Sequence, residues 1–510
     1  MYQKIRGRFA CRTALRTIAF AFVCLASFIA YDAIHKRPPA DKTPEQWQAF
    51  ALADLNAVQA AIVDAHPGYI DTVNPSVRSW TEQGYREALA LIPRVISYDT
   101  MMSAVRYYVT GFEDGHLIYS DNIRNGDVYE VINGWRVDER GGAAVVTALM
   151  PNWDGPLPPL GAGLLDCDGR TPDAIVADDQ APYFDRRNLP SLRKSMFSEI
   201  SSLRLAGLEL KRCTFVEPGV KKITFDVRYR RIPTMDVWSS LRSVRLHTPD
   251  HRNRYDFRDK VLWIRAVNFM LSPDEAKDLN KMLKELANLR DVRSIVFDMR
   301  ENTGGDSQVG QQIFDAATGG LEFDTSGLVR LPPVYAQWRV SDISISGVAH
   351  YVDVMSERYG SNDPRTQEVK LILAKLRGAK RAGKRWVDIA GAPRLTRAEI
   401  ASRHGRLRRF NGTVAVVTDG NCASACLDFV DQIRLVPGSV QLGHSTASDT
   451  VYIERASVPL PSGNALAMPI KVWRNRVRSD GEALVPNIVL NVDFNNNEAV
   501  RAAVLDALGR

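Results

Sequence analysis

Cysteine is rare in this chain, and histidine is not clustered around it. The 510 residues include six cysteines and eight histidines, and no histidine accompanies a cysteine pair at the spacing of zinc ligands. The basic stretch at 375–409 contains only one aromatic residue, Trp386, whereas a nucleic-acid surface would require several interleaved with the charges. The sequence therefore predicts neither a metal site nor a nucleic-acid partner.

Apolar and charged residues are present in ordinary proportions. Hydrophobic residues make up 45% of the chain and charged residues 25%, which is typical of globular proteins and excludes a disordered or fibrous one. A chain of 510 residues is too long for one simple core. Two or three domains are therefore expected.

The N-terminus has the layout of a secretory signal. Five basic residues with no acidic residue among them precede the apolar run Thr17–Tyr31, which is shorter than the roughly 20 residues of a membrane-spanning helix. These basic residues are Lys4, Arg6, Arg8, Arg12 and Arg16. No clean cleavage site follows the run, so an uncleaved membrane anchor at residues 17–34 is the alternative. Both forms predict an exported protein whose body is periplasmic or extracellular.

Four cysteines lie in the body of the chain, namely Cys167, Cys213, Cys422 and Cys426. They allow three pairings. Cys422 and Cys426 are one helical turn apart, which is near the upper limit of disulfide reach. The expected bridge is therefore the one between Cys167 and Cys213.

Changes in residue pattern divide the chain into four segments. Residues 1–42 hold the leader and a proline-rich linker, and residues 43–125 show helical periodicity that ends at the motif GFEDGHL. Residues 126–240 change to short β-prone runs between glycine, proline and aspartate. Residues 241–510 contain an insertion at about 328–410, for which a lid over the site and a solvated decoration are both compatible with the pattern.

Buried apolar runs alternate with amphipathic helices in the last segment. The runs VLWIRAV, SIVFDMR and GTVAVVTD predict strands, and SPDEAKDLNKMLKELANL predicts a helix capped by Ser272 with Pro273 in its first turn. Such alternation predicts a parallel or mixed sheet covered by helices, which is an α/β fold.

The strongest local signal lies at residues 414–433. An apolar strand pattern runs into the turn at Asp419, and an amphipathic helix pattern follows, which places Ser424 near the N-terminus of that helix. Unpaired N–H groups and the positive end of the helix dipole favour a developing oxyanion there. A serine in this position is also a common helix N-cap. The position alone leaves both roles open.

Four motifs in this order resemble those of the C-terminal processing peptidases. They are DMRENTGGD at Asp298–Asp306, NCASAC around Ser424, LGHSTASDT at 442–450 and DGEALVPNI at 480–488. With the helical region and a PDZ-like module at 126–240, the resemblance covers most of the mature chain. It implies an α/β fold in which helices cover a mixed-sheet peptidase core of the ClpP and crotonase type. It also implies a serine-type peptidase that acts on peptides or proteins without a cofactor.

The resemblance further implies a nucleophile and an oxyanion hole. Ser424 matches the nucleophile of the family. The N–H of Ala425, together with that of Gly304 or Gly305, matches its oxyanion hole. An ordinary strand-to-helix turn is the alternative interpretation of the two glycines.

The general base must differ from that of the bacterial processing peptidases. They use a lysine, and Asp449 occupies the matching position, where a carboxylate is a poor substitute for a neutral amine. The tricorn-like branch instead uses a histidine ahead of its PDZ-like module, in a motif similar to GFEDGHL. His116 matches it, and an imidazole side chain is the type of group that can serve as a base near neutral pH. Taken alone, a single histidine would more often be structural.

An acid should orient the imidazole. The tricorn-like branch places this acid in the closing motif, where Asp480 matches it and Glu482 is the alternative. An ordinary turn would also explain Asp480 and the glycine after it. Two departures stand out, because the branch has glutamate at the position of Asp480 and serine at that of Gly115.

These residues together predict an exported serine endopeptidase that forms an acyl-enzyme on Ser424, with His116 as base and Asp480 as the orienting acid. The PDZ-like module would capture an extended peptide by strand addition. The rival hypothesis is a catalytically silent peptide-binding protein that retains the fold. A non-peptide acyl or lipid ligand is a further alternative. The oligomeric state is left open.

Overall fold

The computed structural model describes most of the chain after the leader, namely residues 42–121, 129–217, 219, 221–242, 252–319, 321–323, 333–390 and 408–509. The predicted leader and anchor at 17–34 lie outside these residues. Within the described ranges, no helix is both long enough and apolar enough to cross a bilayer.

Helices dominate the N-terminal region. Its elements are α1 (Pro44–Ala65), α2 (Ser76–Leu89), α3 (Tyr98–Thr110) and β1 (Ile118–Ser120), with 3₁₀ turns at Pro67–Tyr69 and Ile92–Arg94. α1 begins where Thr43 and Gln46 form a reciprocal capping box. α3 begins with a second such box, formed by Ser97 and Thr100. The turn between α3 and β1 carries His116.

A β-rich module follows the N-terminal helices. Its elements are β2 (Tyr129–Ile132), β3 (Trp135–Arg140), β4 (Ala143–Leu149), β5 (Gly163–Cys167), α4 (Pro172–Ile175), α5 (Ala181–Phe184), α6 (Pro190–Ser195), β6 (Arg212–Glu217), β7 (Lys221–Asp226), β8 (Arg230–Pro233) and α7 (Thr234–Val237). Strands β3 to β7 form one antiparallel sheet in chain order. This sheet has its own apolar core, which includes Trp135 and Phe215. A PDZ-like identity for the module stays a prediction.

The remaining chain alternates strands and helices. Its elements are β9 (Arg254–Arg258), β10 (Val261–Arg265), α8 (Pro273–Ala287), β11 (Ser294–Asp298), α9 (Ser307–Thr318), β12 (Leu321–Glu322), β13 (Tyr335–Arg339), α10 (Asp342–Tyr359), α11 (Pro364–Arg381), β14 (Trp386–Ala390), β15 (Arg408–Arg409), β16 (Thr413–Thr418), α12 (Ala425–Arg434), β17 (Val440–Gly443), β18 (Tyr452–Pro459), β19 (Ala465–Arg474), β20 (Ile488–Val489) and α13 (Asn497–Ala507).

Six of these strands form a mixed sheet that is covered on both faces. The strand order is β20-β17-β16-β11-β10-β9, and all pairs are parallel except that of β9 with β10. In β10, Leu262 faces the core that contains α8, α9 and α12, whereas Trp263 faces the core that contains α13. A strand buried on both faces appears in the sequence as a continuous apolar run. The predicted α/β fold with a mixed sheet is confirmed.

A second sheet joins the N-terminal region to the rest of the chain. β19 pairs with β18 on one side and with β1 and β13 on the other, and β14 extends the sheet beyond β13. β13, α10, α11 and β14 come from the insertion, and Trp338 and Leu376 from it share one core with Leu55 and Met101 of α1 and α3. The described part of the insertion therefore belongs to the main core and is not a solvated decoration. Residues 391–407 of it lie outside the described ranges.

Both pairs of body cysteines form disulfides. The predicted bridge between Cys167 and Cys213 is present, and it joins β5 to β6. Cys422 and Cys426, whose spacing made them the less favoured pair, are also bonded, with their Cα atoms 5.3 Å apart. Cys422 precedes α12 and is therefore not held at helical spacing from Cys426.

Candidate active site

Two loops meet at the carboxyl edge of the six-stranded sheet. β11 ends at Asp298 and β16 ends at Thr418, and because these strands are parallel neighbours, the loops after them leave the same edge. The Ala423 N–H donates a 3.3 Å hydrogen bond to the carbonyl oxygen of Asn302, which joins the loops. The buried amide of Asn302 also donates to the Ala266 carbonyl oxygen at 2.6 Å. The loops after β10, β11 and β16 thus form one framework.

Ser424 occupies the predicted N-cap position of α12, but its side chain does not cap the helix. Among the described residues, no helix N–H donates to its hydroxyl. Its backbone has φ 55° and ψ −122°, a conformation that favours glycine and is otherwise found at constrained functional turns. A sharp turn of this kind between a strand and a helix exposes a nucleophilic serine in other hydrolases. Because Ser424 is half-buried, it is not sealed inside the core.

His116 reaches Ser424 from a distant part of the chain. Its Nε2 atom lies 3.3 Å from Ser424 Oγ, although the residues are 308 positions apart. The imidazole is only 12% exposed, which shields it from bulk water. If Nε2 accepts the serine proton, the single proton of the neutral ring must lie on Nδ1. The predicted nucleophile and the predicted base are therefore in contact.

Asp114 is a residue of this site that the sequence patterns did not indicate. Its side chain is fully buried, and its Oδ1 accepts a 2.8 Å hydrogen bond from the His116 backbone N–H. The same Oδ1 lies 3.8 Å from His116 Nδ1, and Oδ2 lies 3.2 Å from Nε2 of the buried His66. The spacing of Asp114 and His116 in GFEDGHL was the available signal, since aspartate often bonds to the backbone two residues on.

The surroundings of Asp114 favour its carboxylate form. Burial alone would raise the pKa of Asp114, but the hydrogen bond and charge of His66 and the charge of His116 together lower this pKa. A negative charge therefore lies beside the candidate base.

Asp480, the acid predicted from sequence, is not hydrogen-bonded to His116. Its Oδ1 accepts from the Val451 N–H at 2.8 Å, and its Oδ2 accepts from the Asn74 amide at 2.7 Å. Burial raises the pKa of Asp480. The alternative acid, Glu482, accepts a hydrogen bond within its own turn. Among the described residues, neither carboxylate is hydrogen-bonded to the imidazole of His116.

The backbone N–H groups of Gly304 and Gly305 differ in their hydrogen bonding. The Gly304 N–H donates to Asn302 Oδ1 at 2.8 Å. Within the described part of the chain, the N–H groups of Gly305 and Ala425 donate to no acceptor. Of the two predicted alternatives, Gly305 is therefore the one whose donor is available beside that of Ala425.

Residues 260–490 match the model of Peptidase family S41. The part of the chain that contains Ser424 therefore belongs to peptidase family S41. It is accordingly a serine-type peptidase, a hydrolase. No curated protein sequence gives a significant match to the chain.

Solved structures share the fold of this S41 peptidase over most of its length. Mature CPAF complexed with lactacystin has a TM-score of 0.55 at 12% identity and covers 91% of this chain and 99% of its own. A mutant of CPAF has a TM-score of 0.53 at 10% identity and covers 90% and 97%. Mature CPAF alone has a TM-score of 0.51 at 11% identity and covers 87% and 93%. At such low identities the likeness shows the fold alone.

Asp449 is the residue that the motif resemblance matched to the lysine of a Ser-Lys dyad. Its Oδ1 is 2.9 Å from Nη2 of Arg478 and 3.0 Å from Nη1 of Arg476, and all three side chains are buried. Two guanidinium groups thus engage this carboxylate as ion pairs. In this S41 peptidase the lysine position is part of a structural charge cluster.

Gly115 leaves room for the guanidinium group of Arg187. A Cβ atom at Gly115 would lie 2.7 Å from Nη1 of Arg187. Arg187 is fixed by a two-pronged ion pair with Asp185, and it also donates to the Ser448 carbonyl oxygen. The space of a serine side chain is therefore already occupied.

Proposed function

We propose that this S41 peptidase is an exported endopeptidase that cleaves peptides through an acyl-enzyme on Ser424, with His116 as the general base. The observation that carries the proposal is the 3.3 Å contact between Ser424 Oγ and His116 Nε2 at the N-terminus of α12. A nucleophile hydrogen-bonded to a base is the geometric mark of this type of catalysis.

In the first half of the reaction, Ser424 Oγ attacks the scissile carbonyl carbon while its proton passes to His116 Nε2. The carbonyl oxygen gains negative charge, which the N–H groups of Gly305 and Ala425 stabilise together with the helix dipole. His116 then returns the proton to the leaving amine as the C–N bond breaks. The acyl group remains on Ser424.

In the second half, water attacks the acyl-enzyme and His116 accepts a proton from it. The tetrahedral intermediate collapses, the ester bond to Ser424 breaks, and the proton returns to Oγ. The balance is one water consumed for one peptide bond cleaved. Apart from this water and the peptide substrate, residues of the chain supply every group in these steps.

His116 is preferred to Asp449 as the base for a geometric reason. Asp449 is held in ion pairs with Arg476 and Arg478, whereas His116 Nε2 lies 3.3 Å from Ser424 Oγ. Imidazole titrates near neutrality and can both accept and return the proton. This choice assigns the chain to the Ser-His type of the family.

Export is proposed from the leader and is supported by the cysteines. Two disulfides join the four cysteines of the body, and disulfides persist mainly in oxidising compartments outside the cytoplasm. The segment at 17–34 would act either as a cleaved signal or as a membrane anchor. The substrate would be an extended peptide, which the module at 126–240 would bind by strand addition.

A fluorophosphonate probe tests the nucleophile directly. We expect one probe molecule per folded chain, attached within the tryptic peptide 410–434, in which Ser424 is the only serine. Intact mass measurement and peptide mapping would check the result, with denatured protein as the unreactive control. Folded protein that binds peptide but never reacts would favour the silent peptide-binding protein.

A second prediction concerns the disulfide that spans the nucleophile. Cys422 and Cys426 are fully buried on either side of Ser424, so their bond fixes the turn that holds Ser424 at positive φ. Replacing both by alanine should slow probe labelling by about 10- to 100-fold, because small displacements of a reacting group have effects of this size.

The other disulfide supplies the matched control. Replacing Cys167 and Cys213 by alanine removes a buried bridge from the β-rich module, where it does not touch the site. Labelling of this variant should stay within about twofold of wild type. Equal slowing in both variants would argue against a local role for the Cys422–Cys426 bond.

A further inference from the structure

We propose that Asp114, and not Asp480, is the positioning residue that orients the His116 imidazole, and that the buried His66 fixes Asp114 for this task. The inference rests on the proposed Ser424 and His116 chemistry. The orienting acid is then Asp114, two positions before the base, and not Asp480 in the motif DGEALVPNI.

The position of Asp114 meets the geometric requirement. Its Oδ1 lies 3.8 Å from His116 Nδ1, on the side of the ring away from Ser424. Nδ1 is buried and has no hydrogen-bond partner among the described residues. Catalytic hydrogen bonds are often long before substrate binds. A small rotation of the ring would turn the 3.8 Å approach into a hydrogen bond.

His66 supports Asp114 from the other side. The Gly68 backbone N–H donates to His66 Nδ1 at 3.0 Å, so Nδ1 is an acceptor and the ring proton must lie on Nε2. That Nε2–H therefore donates to Asp114 Oδ2 at 3.2 Å. His66 is fully buried and packs against Phe112 and Tyr452. Asp114 is thus held by a second histidine whose tautomer is fixed.

Asp480 is bonded to groups other than the imidazole. Its two oxygens accept hydrogen bonds from Val451 and from Asn74, and among the described residues neither oxygen is hydrogen-bonded to His116. Asp114 Oδ1 already lies beside Nδ1, and it can accept from both the backbone N–H and the ring N–H of His116.

The role proposed for Asp114 is orientation and charge stabilisation. Its carboxylate keeps the proton of the neutral ring on Nδ1, so that the Nε2 lone pair faces Ser424 Oγ. When Nε2 accepts the serine proton, the resulting imidazolium is stabilised by the adjacent negative charge. Both protons stay on the imidazole during the step, and Asp114 stays ionised. The lowered pKa of Asp114 is consistent with this.

The proposal can be tested without any turnover. We expect ¹⁵N-histidine NMR of the wild-type chain to show His116 as the Nδ1–H tautomer; the chain has eight histidines, and His116→Gln identifies its signal. In Asp114→Asn the proportion of the Nδ1–H tautomer should fall, because the carboxylate that holds this proton becomes an amide. Asp480→Asn should leave the tautomer unchanged. Two other charged groups interact electrostatically with His116 or Asp114. They are Glu454, which forms an ion pair with Lys471, and Arg187, and both are unchanged in the two variants.

Kinetics on the same variants provide the second readout. Asp114→Asn should lower kcat by about 10²- to 10⁴-fold with little change in KM, whereas Asp480→Asn should stay within about threefold. A wild-type Nε2–H tautomer would overturn the proposal, even if Asp114→Asn failed to fold. A change of tautomer or a loss of kcat confined to Asp480→Asn would also overturn it. If the NMR results agree but wild type neither hydrolyses peptide nor reacts with the probe, the proposed function fails and the orienting role of Asp114 stands.

Discussion

Replacing Ser424 by alanine or His116 by glutamine is expected to lower kcat by about 10⁴- to 10⁶-fold each, and replacing both should lower it no further. Alanine has no hydroxyl to attack the carbonyl carbon, and glutamine cannot accept a proton at neutral pH. The two side chains act as a unit because Oγ and Nε2 are 3.3 Å apart. Without Ser424 there is no hydroxyl proton for His116 to accept, and without His116 the hydroxyl of Ser424 is not activated.

Steady-state kinetics on a fluorogenic peptide would measure this effect, with circular dichroism to verify folding. His350→Gln is the matched control, since His350 is an exposed residue of α10 and should retain wild-type activity. Two results would contradict the assignment. One is a His116→Gln variant within about tenfold of wild type, and the other is a double variant in which the two losses multiply.

The Gly304→Ala variant is expected to lower kcat by about 10²- to 10³-fold, the effect of losing one oxyanion donor. Its methyl group would lie 2.7 Å from the carbonyl oxygen of Ala423 and 2.8 Å from Cβ of Ser424. It would also lie 3.0 Å from the amide nitrogen of Ala425. None of these atoms is the end of a flexible side chain, so the turn itself must move. The Ala425 N–H would then no longer point at the developing oxyanion.

Gly463→Ala separates this clash from backbone strain. Gly463 has φ 93°, close to the 96° of Gly304, but a Cβ atom there would meet nothing within 4 Å. An alanine at positive φ strains the backbone to a similar extent in both variants, but only Gly304→Ala disturbs the site. The measurements are kcat and the rate of fluorophosphonate labelling. Similar losses in the two variants would show that strain and not displacement of the turn is responsible.

Features set by local sequence were predicted well. The strands on either side of the site are continuous apolar runs, because they are buried on both faces. α8 begins at the predicted cap, where Ser272 and Glu275 form a capping box. Ser424 could be placed at a helix N-terminus because a strand, a turn and a helix follow one another within 20 residues.

Contacts between distant segments were predicted less well. The chain pattern did not indicate Asp114, because only the fold brings His66 close enough to make it a fixed and charged neighbour of His116. The bond between Cys422 and Cys426 was ranked as the less favoured pair because helical spacing was assumed for a residue that precedes the helix. The core position of the insertion depends on β13 pairing with β19, more than 100 residues later in the chain.

The sequence by itself determined the family, the α/β fold and the position of Ser424, because apolar periodicity, capping residues and motif spacing are properties of neighbouring residues. Only the tertiary structure decided that His116 contacts Ser424, that Asp114 lies beside it, and that Asp480 is bonded elsewhere. These relations depend on how two sheets and the N-terminal helices pack together. Packing of elements that are hundreds of residues apart leaves no periodic pattern in the chain.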